Sequence, residues 1–343
     1  MTKRSHSITI RDVARKADVS VATVSRYINQ NAPVSEKLSA RIEKVMDQLD
    51  YVPHATARHL ALRTKNAVGL LLTNMHNPFF GPLLAGVERV VRENNYNLLV
   101  ASYHSSLRAE SNLPLGVHNT DGIIAFADSL NDEEIVSFYK RDFPIVLIHK
   151  TPSNSLAIPF TTIENKAATR KLINHLITVH NRRRIILMRG SEHQEDAHWR
   201  EVGFKAALEE QGIPFDERMA LNGSFEHEVA YNSLKTFLAA PDHPEFDAIF
   251  AGDDDAAIGV YKALNEAGYK IPEDISVVGF DDSLMAPFMS PPLTTVRAPT
   301  ERVGQSVAQQ LFCLLEKKPP ELVTLLPTEM ILRQSCGCKD SSS

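Results

Sequence analysis

The chain has 343 residues, of which 43% are hydrophobic and 23% are charged. This length is typical of two or three domains, and this composition excludes an intrinsically disordered chain. No apolar run approaches the ~20 residues of a membrane-spanning helix, and the N-terminal stretch MTKRSHSITIRDV lacks the apolar region of a secretion signal. The cysteines, Cys313, Cys336 and Cys338, are too few for a disulfide framework and fit a reducing compartment. We therefore expect a cytoplasmic protein.

The charge is distributed unevenly along the chain. Residues 1–65 contain 12 Lys and Arg against 6 Asp and Glu, whereas the remainder contains 25 against 36. The overall charge of −5 therefore conceals a basic N-terminal segment. Such a segment is typical of a nucleic-acid-binding module joined to an acidic body, and a chance fluctuation in a short window is the alternative.

The N-terminal segment is predicted to form three short helices. They are expected at Ile10–Ala17, at Val21 to about Asn29, and from Ser35 onward, where Leu38, Ile42, Val45 and Leu49 share one face. Thr9, Ser20 and Ser35 are suitable N-caps, and Asp12 stands at the capping-box position of the first helix. Helices this short must share a core, and the tight turn at Asp18 predicts a helix-turn-helix unit.

Residues 50–65 are predicted to be a linker. His54–Leu62 has helical potential but little apolar face, and an isolated helix of that length is marginal in water. We expect this segment to need a partner in order to persist as a helix.

From Ala67 onward, short apolar runs alternate with longer amphipathic ones. Strands are predicted at Val68–Leu72, Asn97–Ala101, Gly122–Phe126, Ile145–Ile148, Arg184–Met188, Ala248–Ala251 and Ser276–Phe280. Helices are predicted at Phe80–Glu93, Ala167–Thr178, Arg200–Gln211, Glu228–Ala239 and Asp255–Ala267. This alternation predicts βαβ units with parallel sheets, arranged as two α/β halves with ligand space at the carboxyl ends of the strands.

Six motifs in this order carry a resemblance to a known family. They are Thr9–Asn29 (TIRDVARKADVSVATVSRYIN), Asn77–Phe80 (NPFF), Asp121–Ile124 (DGII), Gly252–Gly259 (GDDDAAIG), Ser276–Asp282 (SVVGFDD) and Pro292–Thr295 (PLTT). Over nearly its whole length the chain resembles the lactose/galactose repressor (LacI/GalR) family of transcriptional regulators. The resemblance implies an α/β protein: an all-α helix-turn-helix domain and a periplasmic-binding-protein-like core of two doubly wound parallel α/β subdomains.

The resemblance also implies domain boundaries and partners. We expect a DNA-binding domain at 1–50, a hinge at 51–65 and a core at 66–343, whose N-subdomain spans about 66–162 and 294–325 and whose C-subdomain spans about 163–293 and 326–343. The partners implied are double-stranded operator DNA, a small effector such as a sugar, and a second copy of the chain, as a dimer or within a tetramer. A repressor is favoured over an activator, and inducer and corepressor both stay open.

Two stretches depart from the family pattern. Asp18 stands in the turn where the family usually has Gly, and Asp tolerates left-handed backbone geometry better than most residues. Leu107–Asn119 is a poor version of the family's second core helix, with a proline and a glycine within it. We expect the turn to survive and the local structure near residue 107 to differ.

Candidate DNA-contacting residues lie on the second helix and in the hinge. They are Thr9, Ser20, Val21, Ala22, Thr23, Ser25, Arg26, Asn29, Ala57, Arg58 and Leu60. Val21 and Ala22 stand where the family contacts bases and can touch thymine methyl groups, whereas the hydroxyl-bearing residues and Asn29 suit phosphates. Burial of Val21 together with Val24 in the core is the alternative. By resemblance Leu60 is a minor-groove wedge, and packing on the core domain is its alternative.

Candidate effector-contacting residues are Phe79, Arg200, Phe225, Asp253, Asp255 and Asp281. Charged groups suit the hydroxyls of a sugar and aromatic rings suit its C–H faces. By resemblance, Arg200 and Asp281 match positions that hold the effector in relatives, and Phe225 matches an aromatic lining position. For Asp254 we favour a helix N-cap.

An enzyme or a plain sugar-binding protein on a similar α/β body is the alternative function. The aspartates at 253–255 and 281–282 could suggest a divalent metal, but aspartates after a strand also cap helices. No Gly-x-Ser-x-Gly motif, phosphate-binding loop or dinucleotide fingerprint occurs. Cys336 and Cys338 are interpreted as surface thiols, because two thiols alone do not make a zinc site. No cofactor, metal or catalytic residue is predicted.

Overall fold

A computed structural model describes residues 8–29, 33–51, 65–75, 77–104, 113–153 and 156–339. The chain divides into two compact units, Met1–Asn66 and Ala67–Ser343. In the described residues, no helix is long and apolar enough to cross a bilayer.

The N-terminal unit contains three helices around a small apolar core. They are α1 (Ile10–Lys16), α2 (Val21–Asn29) and α3 (Glu36–Gln48). The core consists of Val13, Ala14, Ala17, Val24, Ile28, Ile42 and Val45. The predicted three-helix unit is confirmed, and each short helix is stabilised by the core that it shares with the others.

The turn between α1 and α2 has the geometry expected from the sequence. Asp18 adopts a left-handed conformation with φ 50°. The hydroxyl of Ser20 accepts a hydrogen bond from the backbone N–H of Thr23 at 3.0 Å, and the backbone N–H of Thr9 donates to Asp12 at 3.0 Å. The cap of α3 differs: Ser35 precedes the helix but is exposed, and its side chain makes no capping hydrogen bond.

The larger unit begins with a parallel sheet of six strands. These are β1 (Ala67–Leu72), β2 (Asn97–Ser102), β3 (Gly122–Phe126), β4 (Ile145–Ile148), β5 (Phe160–Ile163) and β11 (Val323–Leu326). Their order across the sheet is β11-β5-β4-β3-β1-β2. The chain thus builds outward from β1 in both directions, so the gap between β1 and β3 is a topological switch point, where ligands bind in open α/β sheets.

Helices cover both faces of this sheet. They are α4 (Phe80–Glu93), α5 (Asp132–Lys140) and α10 (Thr300–Leu315). Buried side chains of α4 and α10 belong to one apolar cluster with β1, β3 and β4, while α5 joins a second cluster on the opposite face. Because α10 and β11 follow the second sheet in the chain, the polypeptide returns to the first sheet after building the second.

The second sheet contains four parallel strands. These are β6 (Ile185–Arg189), β7 (Ala220–Asn222), β8 (Ala248–Phe250) and β9 (Ser276–Val278), in the order β7-β6-β8-β9. It is surrounded by α6 (Asn165–His180), α7 (Glu195–Glu210), α8 (His227–Ala239) and α9 (Asp254–Glu266). Its switch point lies between β6 and β8. A small antiparallel pair, β10 (Thr295–Arg297) with β12 (Glu329–Ile331), lies along the segments that run between the sheets.

Most predicted elements are confirmed, and several were missed. α2, α4, β3 and β4 have the predicted bounds, and the other predicted elements differ at their ends. β5, β7, β10, β11 and β12 and helices α5 and α10 were not predicted. Part of Leu107–Asn119 lies outside the described residues, and residues 113–121 form bends and turns.

Candidate functional site

The predicted DNA-contacting residues of α2 lie on the side of the helix away from its core. Ser20, Val21, Ala22 and Arg26 are exposed, Thr23 and Ser25 are half-buried, and Thr9 is exposed at the start of α1. Val21 is 42% exposed, whereas Val24 is fully buried. The core alternative is therefore wrong for Val21 and right for Val24. Asn29 ends α2, and Ala57, Arg58 and Leu60 lie outside the described residues.

The larger unit contains a cavity of about 710 Å³ at the carboxyl ends of the strands of both sheets. Its lining includes Thr73 and Asn74 after β1, Phe126 at the end of β3, Ser191 after β6, Asp253 after β8 and Asp281 after β9. The cavity thus lies beside the switch points of the two sheets. All six predicted effector residues line it: Phe79, Arg200, Phe225, Asp253, Asp255 and Asp281.

Arg200 forms the centre of the polar part of the cavity. It lies on α7, is only 5% exposed, and donates three hydrogen bonds: to Asn165 Oδ1 at 2.9 Å, to the carbonyl of Gly252 at 2.9 Å and to Asp281 Oδ1 at 3.1 Å. Its guanidinium lies 3.7 Å from the ring centroid of Phe280. These contacts hold the guanidinium in one orientation, and an Arg held in this way is preorganised for hydrogen bonding.

Two carboxyl groups beside Arg200 are buried. Burial raises the pKa of Asp281 to about 6, with Arg200 opposing the rise and Asp196 adding to it. Burial, together with the negative charge of Asp281, raises the pKa of Asp253 well above its ordinary value. Two neighbouring carboxylates repel each other, so Asp253 and Asp281 do not readily ionise together. A proton or a ligand that donates a hydrogen bond therefore stabilises the pair.

The aspartates that follow β8 have three different roles. Asp253 Oδ1 caps α9 by accepting a hydrogen bond from the N–H of Ala256 at 2.8 Å. The expectation that Asp254 is the cap is wrong: Asp254 is the first residue of the helix. One oxygen of Asp254 accepts a hydrogen bond from the hydroxyl of Thr295, the first residue of β10. The other accepts a hydrogen bond from the backbone N–H of Ser283. Asp255 accepts from His227 at the rim of the cavity.

Phe225 is held over the cavity floor by a strained turn. Phe225 has φ 59° and the preceding Ser224 has φ 50°, which is unusual for a bulky side chain. A Cβ added at Gly190 would lie 2.2 Å from the Phe225 ring, and one at Gly252 would lie 3.3 Å from it. The two glycines at the ends of β6 and β8 therefore make room for this ring. Backbone strain of this kind is concentrated at ligand sites.

On the side of the first sheet, aromatic rings form the wall of the cavity. The rings of Phe79 and Phe126 are 5.9 Å apart and those of Phe80 and Phe126 are 5.0 Å apart, in edge-to-face contacts. Phe80 is buried in the core, whereas Phe79 is half-buried. The cavity thus has a carboxylate-rich side and an aromatic side.

Among the polar residues of the site that were not predicted, Asp196, His149 and Asn165 form one network with Arg200. Asp196 lines the cavity one helical turn before Arg200, contacts His149 at 3.2 Å and accepts a hydrogen bond from Asn165 at 2.6 Å. Burial by itself raises the pKa of Asp196, but His149, Arg200 and Asn165 together outweigh it and lower the pKa. The four-residue spacing from Arg200 was a usable signal for Asp196. Nothing local in the sequence points to His149 or Asn165.

Comparisons with known proteins agree with this architecture. Residues 9–54 match the model of the lacI family of bacterial regulatory proteins, and residues 173–336 match the periplasmic binding protein-like domain. The ribose operon repressor of Escherichia coli K12 is 33% identical over 304 residues, covering 87% of this chain and 90% of that protein. The transcriptional repressor PurR of Photobacterium profundum is 30% identical, covering 95% and 98%.

A solved structure also aligns with this chain over nearly its whole length. The complex of the transcriptional regulator CelR with cellobiose aligns with a TM-score of 0.69 at 26% identity, covering 96% of this chain and 99% of that one. These relatives therefore match the chain over 87–96% of its length, which includes parts of both of its units. The chain belongs to the LacI family of DNA-binding transcriptional regulators.

Proposed function

We propose that this protein is a repressor that binds a near-palindromic operator as a homodimer and responds to an uncharged sugar in the cavity. The exposure of Val21 and Ala22 beside buried Val24 supports contact of α2 with bases in the major groove. Thr9, Ser20, Thr23, Ser25, Arg26 and Asn29 are proposed to bind phosphates or base edges. A two-fold dimer presents two such helices, so its operator shares the two-fold symmetry.

The charges of the cavity carry the proposal on the effector. Of the described lining residues, Arg200 alone has a permanent positive charge, and Asp281 already pairs with it. Asp196 and Asp255 add carboxylates on the same side, and the carboxyl group of Asp253 adds further oxygens there. A phosphate or carboxylate on the ligand would meet repulsion there, whereas hydroxyl groups can donate to these oxygens. The aromatic wall suits the C–H face of a sugar ring.

A ligand panel tests this proposal. Isothermal titration calorimetry on the full chain would compare neutral pentoses, hexoses and disaccharides with sugar phosphates, hexuronates and purine nucleosides. We expect measurable binding only among the neutral sugars. Binding confined to phosphorylated or acidic sugars would contradict the charge argument, and binding confined to the uncharged nucleosides would contradict the assignment of a sugar; neither result bears on DNA binding.

The link between operator and effector is proposed to be the hinge. We propose that residues 54–62, with Ala57, Arg58 and Leu60 near the minor groove, order as a helix on operator DNA and are released or held by the effector. By reciprocity, the operator must change effector affinity by the same factor as the effector changes operator affinity. Amide exchange across 54–62 should differ among the free, operator-bound and ternary states. Equal protection in all three would refute the hinge mechanism.

We further propose that the chain is not an enzyme and acts in the cytoplasm, where operator DNA lies. Three of the described carboxylates that line the cavity have hydrogen-bonding roles: Asp253 caps α9, Asp255 accepts from His227 and Asp281 pairs with Arg200. Incubation with a bound sugar should return it unchanged. The subdomain boundaries at 66–162 with 294–325 and at 163–293 with 326–343 stay a proposal.

A further inference from the structure

Four side chains from two distant segments converge near the C-terminus of the described chain. His175 and His180 lie in the last turns of α6, and Cys336 and Cys338 lie in the segment after β12. Their ligand atoms, the imidazole nitrogens and the two Sγ atoms, all lie within 4.8 Å of one another. The expectation of two surface thiols is wrong for Cys336, which is fully buried because this segment packs against β9.

The distances within this cluster match a tetrahedral metal site. With Zn–N near 2.0–2.1 Å and Zn–S near 2.3 Å, the edges of the tetrahedron are about 3.3 Å between nitrogens and about 3.5 Å between nitrogen and sulfur. The two Nε2 atoms are 3.1 Å apart. Cys338 Sγ lies 3.3 Å from His180 Nε2 and 3.4 Å from His175 Nε2, and Cys336 Sγ lies 3.9 Å from His175 Nε2.

The local backbone explains how the two thiols face the same point. The Cys-x-Cys spacing is shorter than in most zinc sites, and the intervening Gly337 has φ 105°, which a side chain would disfavour. A Cβ at Gly337 would also lie 3.1 Å from His180 Nδ1. The His-x4-His spacing lies within the range of zinc-binding histidine pairs. Glycine thus allows the tight turn and the close approach of the imidazole.

The surroundings of the ligands suit a metal-bound state. The hydroxyl oxygen of Thr294 lies 3.1 Å from Cys336 Sγ and 2.8 Å from the carbonyl of Arg333, so its proton is within reach of a thiolate at Cys336. Two thiolates balance the charge of a divalent ion, so a loaded site is neutral and can be partly buried.

We propose that His175, His180, Cys336 and Cys338 bind one Zn²⁺ ion in a closed structural site. Two thiolates and two imidazoles in a tetrahedral arrangement are a common ligand set of structural zinc sites, and four protein ligands leave no open position for catalysis. Loading releases the two thiol protons to water. The ion clamps the C-terminal segment to α6, whose other end, about 22 Å away along the helix, contains the Asn165 that contacts Arg200.

Metal content and cobalt spectroscopy of the full chain test this proposal. The protein would be purified with a phosphine reductant, stripped with a chelator and titrated with Zn²⁺ or Co²⁺. We expect one equivalent to bind, the thermal midpoint to rise, and Co²⁺ to give tetrahedral d–d bands with sulfur-to-cobalt charge transfer. Both Cys338→Ser and His180→Gln should lose most of the affinity, and any cobalt that Cys338→Ser still binds should show about half of the charge-transfer intensity, because one of the two thiolates is gone.

Cys313 provides the matched control. It lies on α10, outside the cluster, and Cys313→Ser should bind zinc as the unaltered chain does. Because Cys338 is only half-buried, Cys338→Ser is expected to fold, and its circular dichroism verifies this. The proposal is overturned by a folded, reduced chain that binds neither ion, and equally by Cys338→Ser binding cobalt with an unaltered spectrum.

Discussion

Replacing Arg200 by methionine should make the larger unit lose stability as the pH rises above 6. Above that pH, the titration of Asp281 in the natural chain approaches completion and changes the stability little further. In the natural chain, burial raises the pKa of Asp281 from 3.8 to about 6. A raised pKa means that the folded state holds the proton more tightly, so stability falls as the pH rises from about 4 to 6 and then levels off. At 1.36 kcal/mol per unit, this change is about 3 kcal/mol.

Arg200→Met removes the positive charge that limits this shift. Methionine keeps an unbranched chain to pack on Phe280, but it cannot donate to Asp281, Asn165 or Gly252. The pKa of Asp281 must then rise further, so the loss of stability continues above pH 6 at about 1.4 kcal/mol per pH unit. We expect the variant to be about 1–3 kcal/mol less stable at pH 5 and about 3–5 kcal/mol less stable at pH 8.

Chemical denaturation at pH 5, 6, 7 and 8 measures this difference. Trp199, the single tryptophan, adjoins Arg200 and reports unfolding by fluorescence. Arg189→Met is a matched control, since Arg189 pairs with Glu201 at 2.8 Å and with Glu217 at 2.9 Å in a more exposed setting. Its effect should be small and constant across this range. Parallel curves for Arg200→Met and the natural chain would refute the coupling between Arg200 and Asp281.

Three further results are expected. Val21→Ala should weaken operator binding in fluorescence anisotropy while changing the free energy of unfolding by less than about 0.5 kcal/mol, whereas Val24→Ala should lower that free energy by about 1–3 kcal/mol. Equal free energies of unfolding for the two variants would contradict the exposure of Val21 and the burial of Val24. Gly190→Ala should displace the Phe225 ring and lower the effector affinity measured by calorimetry at least about tenfold, which corresponds to the loss of about one good contact. Gly81→Ala is the control and should leave the affinity unchanged, because its added Cβ meets nothing within 4 Å. Operator affinity should fall steeply and log-linearly with salt, and a flat dependence would count against phosphate contacts.

The sequence alone determined the elements whose signals are local. The helix-turn-helix follows from apolar spacing such as Val13, Ala17 and Val24 and from a left-handed turn that Asp18 tolerates, and both were confirmed. Strands β3 and β4 were predicted at their observed bounds because they are continuous buried apolar runs. The predicted effector residues also line one cavity: Phe225, Asp253, Asp255 and Asp281 come soon after strands, Phe79 lies in a motif shared with the family, and Arg200 was predicted from the resemblance alone.

The short strands at the sheet edges could not be predicted from local sequence patterns. β7 and β11 lie at the edges of their sheets, and β11 is largely exposed. Neither strand therefore has a periodic pattern of buried apolar residues that the sequence could reveal. Helix α10 was different: Val303, Val307 and Leu311 recur at helical spacing, so its signal was present and was missed.

Only the tertiary structure decided which distant residues meet. Asn165 and His149 reach Asp196 across 31 and 47 positions of sequence, and Cys336 reaches His175 across 161. Periodicity reports how a segment is buried, but it contains no information on the segment that buries it. The packing of the C-terminal segment against α6 and β9 placed two cysteines beside two histidines, and that proximity gives the four side chains the geometry of a metal site.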